Sequence, residues 1–209
     1  MPFLFPRSAG SSRPGASRRL LAGMIAAVLA LLGLQLPAAA QESGPPEVTT
    51  ATREQKLDVV WNAIDGAIRP GYAAFVDAAR EADTAMGDLC QLPAGENLTD
   101  AREAFAHLVE AWSRIEFVQF GPVMEDNRGA RILFFPDRRS IGLKQVQAIL
   151  ADGDESAASP EELAGKSVAV QGLGALEFVL HGTGADTLET PQGDFRCRYG
   201  RAIAGNLVH

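Results

Sequence analysis

The 209-residue chain sets 26 acidic against 19 basic side chains, a formal net charge of −7, and 46% of its residues are hydrophobic. That balance excludes a chain built to coat nucleic acid or an anionic membrane surface, since both need a basic excess. It suits the handling of cations, and it equally suits simple solubility.

The first forty residues contain Arg7, Arg13, Arg18 and Arg19, no acid, an apolar run from Leu20 to Leu36, and then Pro37-Ala38-Ala39-Ala40. This is the pattern of a secretory signal peptide, residues 1–40, with cleavage expected after Ala40. A membrane anchor is the alternative reading, but a run of about 17 residues lies at the lower limit for spanning, and no basic stop-transfer patch follows it. Ser17-Arg18-Arg19-Leu20-Leu21 resembles a twin-arginine export signal, while the leucine-rich core suits the general secretory route as well. No cysteine lies near Ala40 to carry a lipid. The expected location is the periplasm or cell envelope, with membrane contact only through export or at the periphery. The 169 residues that remain carry 15 basic and 26 acidic side chains, a net charge of −11. They suffice for one domain with a core.

Residues 41–51, with Pro45-Pro46, predict a short disordered lead-in to a helical domain over 52–209. A helix is expected over 52–68, with Leu57, Val60, Trp61 and Ile64 inward and Pro70 ending it. A second helix over 71–92 places Tyr72, Phe75, Val76, Ala79, Ala82 and Met86 inward. After Pro93-Ala94-Gly95, Thr99 is the expected N-cap of a third helix over 100–120. Residues 121–139 lose the helical period but keep Ile132, Leu133, Phe134 and Phe135, so they predict a long loop packed over the bundle. A helix over 142–150 follows, then an acidic turn at Asp152–Glu155. Ser159-Pro160 has the form of a helix start, with serine as cap and proline in the first turn. A helix over 167–180 is stopped by Gly182-Thr183-Gly184, and a last one begins near Phe195. No stretch shows sustained strand alternation, so the expected fold class is all-α, an antiparallel helical bundle.

Two cysteines, Cys90 and Cys197, fall in a chain expected to be exported, and an even count in an oxidising compartment favours one disulfide over two buried thiols. Such a bond would tie the second helix to the last.

Two carboxylates fall among apolar positions. With Leu176 at zero on a helical wheel, Leu180 lies at about 40°, Leu173 at about 60°, Glu177 at about 100° and Val170 at about 120°. On the third helix, with Leu108 at zero, Phe105 lies at about 60°, Glu116 at about 80° and Val109 at about 100°. Both acids are therefore expected to be buried and to converge, each needing a cation, a metal, hydrogen-bond donors or a proton. A structural ion pair satisfies that need as well as a functional site does. His181 stands one turn after Glu177, near enough to share a cation, although a lone histidine more often caps or packs. Gly174, inside a helix, is expected to serve close packing. Among catalytic motifs, the sequence contains no phosphate-binding glycine loop, no Gly-x-Ser-x-Gly elbow and no two-histidine zinc motif.

Three segments together resemble the imelysin family: Trp112–Pro122, with Phe120-Gly121-Pro122 at its end; Arg131–Arg139, with Phe135 in place of a tryptophan; and Gly172-Leu173-Gly174-Ala175-Leu176-Glu177. The resemblance implies the first half of a larger two-bundle helical protein, lacking its C-terminal half. It implies a motif of Gly172, Gly174 and Glu177 in which Gly174 stands where many members carry a histidine. A metal role for the motif is thereby halved, with Glu177 and His181 left as candidate ligands for iron or zinc. The expected polar site comprises Glu116, Glu177, Arg131 and Asp137. The function implied is a non-catalytic binding component linked to iron uptake, whose partner is a metal ion or an envelope iron-uptake protein. A metallopeptidase and a structural helical scaffold are the alternatives.

Overall fold

The computed structural model describes residues 50–209. The expected leader and nearly all of the expected lead-in lie outside the described residues. Every regular element among those residues is helical, as the periodicity predicts, and none of these helices is long and apolar enough to cross a membrane.

Helix α1, Arg53–Ala63, opens with a reciprocal cap in which the Thr52 hydroxyl accepts from Gln55 N–H and the Gln55 amide oxygen accepts from Thr52 N–H. It does not stop at Pro70. A π turn over Ile64–Ile68, closed by Arg69 N–H on the Ile64 carbonyl, carries the chain directly into α2, Arg69–Gln91. Pro70 has no N–H to return to the preceding turn, and the wider turn accommodates that loss without ending the helix. The inward face expected of α1 is also absent. Leu57, Val60 and Trp61 are exposed, and no residue of α1 is buried.

Helix α3, Gly95–Ser113, starts five residues earlier than Thr99 would dictate, and the Thr99 hydroxyl donates to the Gly95 carbonyl instead of capping. It packs antiparallel along α2: Phe75 meets Trp112 with ring centroids 5.4 Å apart, and the Tyr72 hydroxyl donates to the Val118 carbonyl. The helix ends at Ser113, so Glu116 lies in the following turn and is exposed. The wheel position that would bury it belongs to a helix that has already stopped.

The segment after Phe120 is a string of 3-10 turns (Gly121–Asn127) and the short α4, Arg128–Ile132. Val123 is buried and Ile132 and Leu133 are partly so, but Met124 and Phe135 face solvent. The loop is thus packed at its base only. Helix α5, Ile141–Asp152, follows, then α6, Pro160–Leu163, capped by the Ser159 hydroxyl as expected. The region read as one helix over 167–180 divides into a 3-10 turn, Val168–Val170, and α7, Leu173–His181.

Helix α8, Asp194–Leu207, is the centre of the bundle. It lies antiparallel to both α2 and α7, wedged so closely that a Cβ on Gly200 would sit 2.7 Å from Met86 Cε and 2.8 Å from Val179 Cγ1. Tyr199 is fully buried and its hydroxyl donates to the Val170 carbonyl at 2.8 Å. The core around α8 is assembled from Met86, Leu89, Leu98, Leu108, Leu176, Leu180 and Ile203. Cys90 and Cys197 form the expected disulfide, which joins α2 to α8 across a sequence separation of 107 residues.

A bond closing so long a loop restricts the unfolded chain strongly. Reduction, or the double substitution Cys90→Ala with Cys197→Ala, is expected to lower the unfolding free energy by about 2–4 kcal/mol. Urea melts with and without reductant measure it, and unreduced peptide maps should return the two cysteine peptides joined.

Candidate functional site

Helix α7 carries the Gly172-x-Gly174-x-x-Glu177 motif, and two arginines from other helices fix its C-terminal end. The last four carbonyls of a helix lack intrahelical partners. Arg196 on α8 donates through Nη2 to the Phe178 carbonyl (2.8 Å), through Nε to Val179 (2.9 Å) and through Nη1 to Thr183 (2.9 Å). Arg102 on α3 donates through Nε to the Leu180 carbonyl at 2.9 Å. The open Val179 and Leu180 carbonyls of α7 are therefore met by guanidinium groups, and Arg196 is a second donor to the Phe178 carbonyl, which also accepts from Gly182 N–H. The positive charge also suits the negative end of the helix dipole. Arg196 additionally covers the Phe178 ring at 5.5 Å from its centroid. Burial pulls the Arg196 guanidinium below its ordinary pKa, and Asp186 opposes that shift. The group remains charged at any physiological pH.

The opposite end of α7 is set by Gly172. A Cβ there would lie 2.2 Å from the Arg131 carbonyl oxygen and 2.3 Å from that of Ile132, so the end of α4 crosses directly over this position. Gly174 behaves differently. It is exposed, and a Cβ added to it would meet nothing within 4 Å. The close packing expected at Gly174 occurs at Gly172 instead.

The exposed side of α7 forms one wall of a cleft of roughly 340 Å³, lined by Gly174, Glu177, Phe178 and His181 from α7 and by Phe134 and Asp137 from the segment before α5. Glu177 is exposed in this cleft rather than buried. The reason is geometric: Val170, which appeared to widen the apolar arc beyond Glu177, belongs to the separate turn before α7. Without it, Glu177 at about 100°, His181 at about 140° and Gly174 at about 160° form a continuous solvent face. The His181 ring leans on Phe105, with centroids 5.9 Å apart. The Asp137 carboxylate accepts from Ile141 N–H (2.7 Å) and Leu143 N–H (3.2 Å), which caps the start of α5.

The expected four-residue site is therefore split. Asp137 and Glu177 share the cleft with His181. Arg131 lines a different groove, on the other side of α4, and touches the motif through its carbonyl. Glu116 lines neither cavity and does not converge with Glu177. Among the described residues no group of three His, Cys, Asp or Glu side chains is placed to hold a metal ion. The donors present thus do not fit a closed metal centre of three or four ligands. The residues that sequence reasoning missed are Arg102, Arg196 and the aromatic walls Phe134 and Phe178. Both arginines sit on helices with other charged residues, and nothing in sequence says which carbonyls they will reach.

Fold and cleft together define an all-helical bundle protein with a small polar cleft on one short, doubly anchored helix. The sequence model of the imelysin family matches residues 68–209, and the chain belongs to that family. Its fold is similar to that of an imelysin-like protein from Psychrobacter arcticum 273-4, with a TM-score of 0.66 at 22% sequence identity. The match covers 76% of this chain and 48% of that one, so the chain spans about half the length of this relative. No curated protein matches the sequence.

The two motif glycines should respond oppositely to alanine. Gly172→Ala forces two carbonyls aside and is expected to cost more than about 2 kcal/mol, the range of an overpacked site. Gly174→Ala should be neutral or stabilise by up to about 1 kcal/mol, the usual helix preference. Thermal melts of both variants measure the contrast. Arg196→Met, which keeps the aliphatic stem but leaves the Val179 and Thr183 carbonyls without their donor, is expected to destabilise by roughly 1–3 kcal/mol.

Proposed function

We propose that the protein is an exported imelysin-like component of the bacterial cell envelope, linked to iron uptake, which binds at the α7 cleft without catalysing a reaction. The observation that carries this reading is Gly174. At the motif position where many relatives are expected to carry histidine, the chain presents an open surface next to Glu177. A metallopeptidase needs a held metal, an activated water and a base. The cleft offers Glu177 and His181 one turn apart, while its other acid, Asp137, is occupied by the backbone of α5. That donor set suits a loosely held, exchangeable cation as cargo better than a resident catalytic ion. A carboxylate open to solvent carries its charge without the cost of burial, which favours capture and release over permanent retention. The leader supports an envelope location.

Isothermal titration of the purified protein with ferrous, ferric and zinc ions tests the reading. Binding of iron that weakens at least about tenfold in Glu177→Gln, with the melting temperature of the apo-protein unchanged, is the expected result. Equal binding by wild type and Glu177→Gln places the metal elsewhere. Zinc-dependent hydrolysis of a peptide by the wild-type protein would restore the peptidase alternative.

A further inference from the structure

The cleft beside α7 has more room and more apolar wall than an ion uses. At roughly 340 Å³ it has space for about ten water molecules of about 30 Å³ each, and it falls within the size range of small-molecule pockets. Val146, Ala169 and Ala175 are buried at its floor, and Phe134, Leu143 and Phe178 form its sides. Water against such walls lacks polar partners, so an apolar body that displaces it gains free energy. All the lining residues fall between Phe134 and Gly182, on α5, α7 and the segments flanking them. The shape of the cleft is therefore set by elements from the middle of the chain.

Charge gives the occupant its sign. The titratable groups of the lining are Asp137, Glu177 and His181, and the lining includes no lysine or arginine. Asp137 is engaged by the backbone of α5, and His181 leans on Phe105. Glu177 makes no ion pair among the described residues, so its carboxylate is left to receive a donor. Arg102 and Arg196 are turned to the carbonyls at the end of α7. Arg196 also lies over the Phe178 ring, which places a ligand's charge at Glu177 and its apolar body toward Phe134.

We infer that the cleft takes a small organic cation, an amine on a compact apolar body, with the ammonium on the Glu177 carboxylate and the body against Phe134, Leu143 and Phe178. An ammonium offers only donors and a carboxylate only acceptors, and both are charged at neutral pH. Gly174 keeps the cleft clear, since it lines the space and a Cβ there would meet nothing within 4 Å. This goes beyond the ion-binding reading: the two share Glu177, but the amine also uses the apolar walls that an ion leaves idle.

Calorimetric titration of the protein with phenethylamine, in the presence of EDTA, is the test. A dissociation constant at or below about 1 mM is expected. Phenylethanol, which lacks the charge, and methylamine, which lacks the body, should each bind at least about tenfold more weakly. Glu177→Gln should weaken phenethylamine binding at least about tenfold, and Gly174→Leu, whose side chain fills the cleft, at least as much. Neither change should lower the melting temperature, because both positions are exposed. Equal binding of phenethylamine and phenylethanol would overturn the proposal. So would no binding at about 1 mM, or binding that survives Glu177→Gln together with Gly174→Leu. With EDTA present these outcomes are independent of iron, so failure here leaves the ion-binding reading standing, and failure of iron to bind leaves the amine site standing.

Discussion

Four consecutive residues on α8, Arg196-Cys197-Arg198-Tyr199, hold the bundle together. Successive side chains on a helix point about 100° apart, so one turn can address four neighbours at once. Arg196 reaches back to the carbonyls of α7, and Cys197 is bonded to Cys90 on α2. Arg198 makes a forked pair with both oxygens of Glu155 (2.5 and 2.9 Å) and a further bond to Asp194. Tyr199 drives its ring into the core and donates to Val170. The links differ in kind: the Arg198 pair is largely exposed and contributes modestly, although it holds the Glu155 carboxyl below its ordinary pKa. The buried tyrosine and the guanidinium on open carbonyls matter more, because removing either strands polar groups away from water.

This arrangement makes α7 a rigid platform. Its C-terminus is fixed by Arg102 and Arg196, and its N-terminus is clamped where the α4 carbonyls cross Gly172. Glu177 and His181 thus extend from a helix that cannot easily rotate, while the facing wall at Phe134 and Asp137 belongs to an irregular segment. One rigid wall and one adaptable wall suit a cleft that must accept and release its occupant. The elements that position the cleft are buried, whereas the groups that would act in it are exposed.

How much of this was legible in sequence depended on whether a signal was local. The all-helical class, the Ser159 cap and the location of the glycine motif follow from period and capping chemistry, which are written in neighbouring residues. The disulfide was legible from the cysteine count and the compartment that the leader implies. Burial of Glu116 and Glu177 was misread for the same reason in both cases: the wheel assumed a helix longer than the real one. Ser113 ends α3 before Glu116, and the break at Gln171–Gly172 removes Val170 from the α7 face. Pro70 reads as a stop, yet a π turn absorbs it. The face of α1 reads as core because periodicity reports an apolar stripe and not what covers it. The carbonyls reached by Arg102 and Arg196 lie 78 and 13–18 residues away, beyond any pattern in the sequence.

The span between the paired cysteines has a consequence for the order of events in synthesis. Cys90 is made 107 residues before Cys197, an interval of roughly 5–20 seconds at ordinary translation rates. The α2–α3 hairpin is complete early in that interval, while α8, which meets both α2 and α7, comes last. For that whole time Cys90 is a thiol without its partner, on a hairpin whose apolar face awaits α8. Until α8 is in place the Cys90 thiolate can attack a foreign disulfide, displacing one of its sulfurs as thiolate to leave a mixed disulfide, and pairing with Cys197 closes that route.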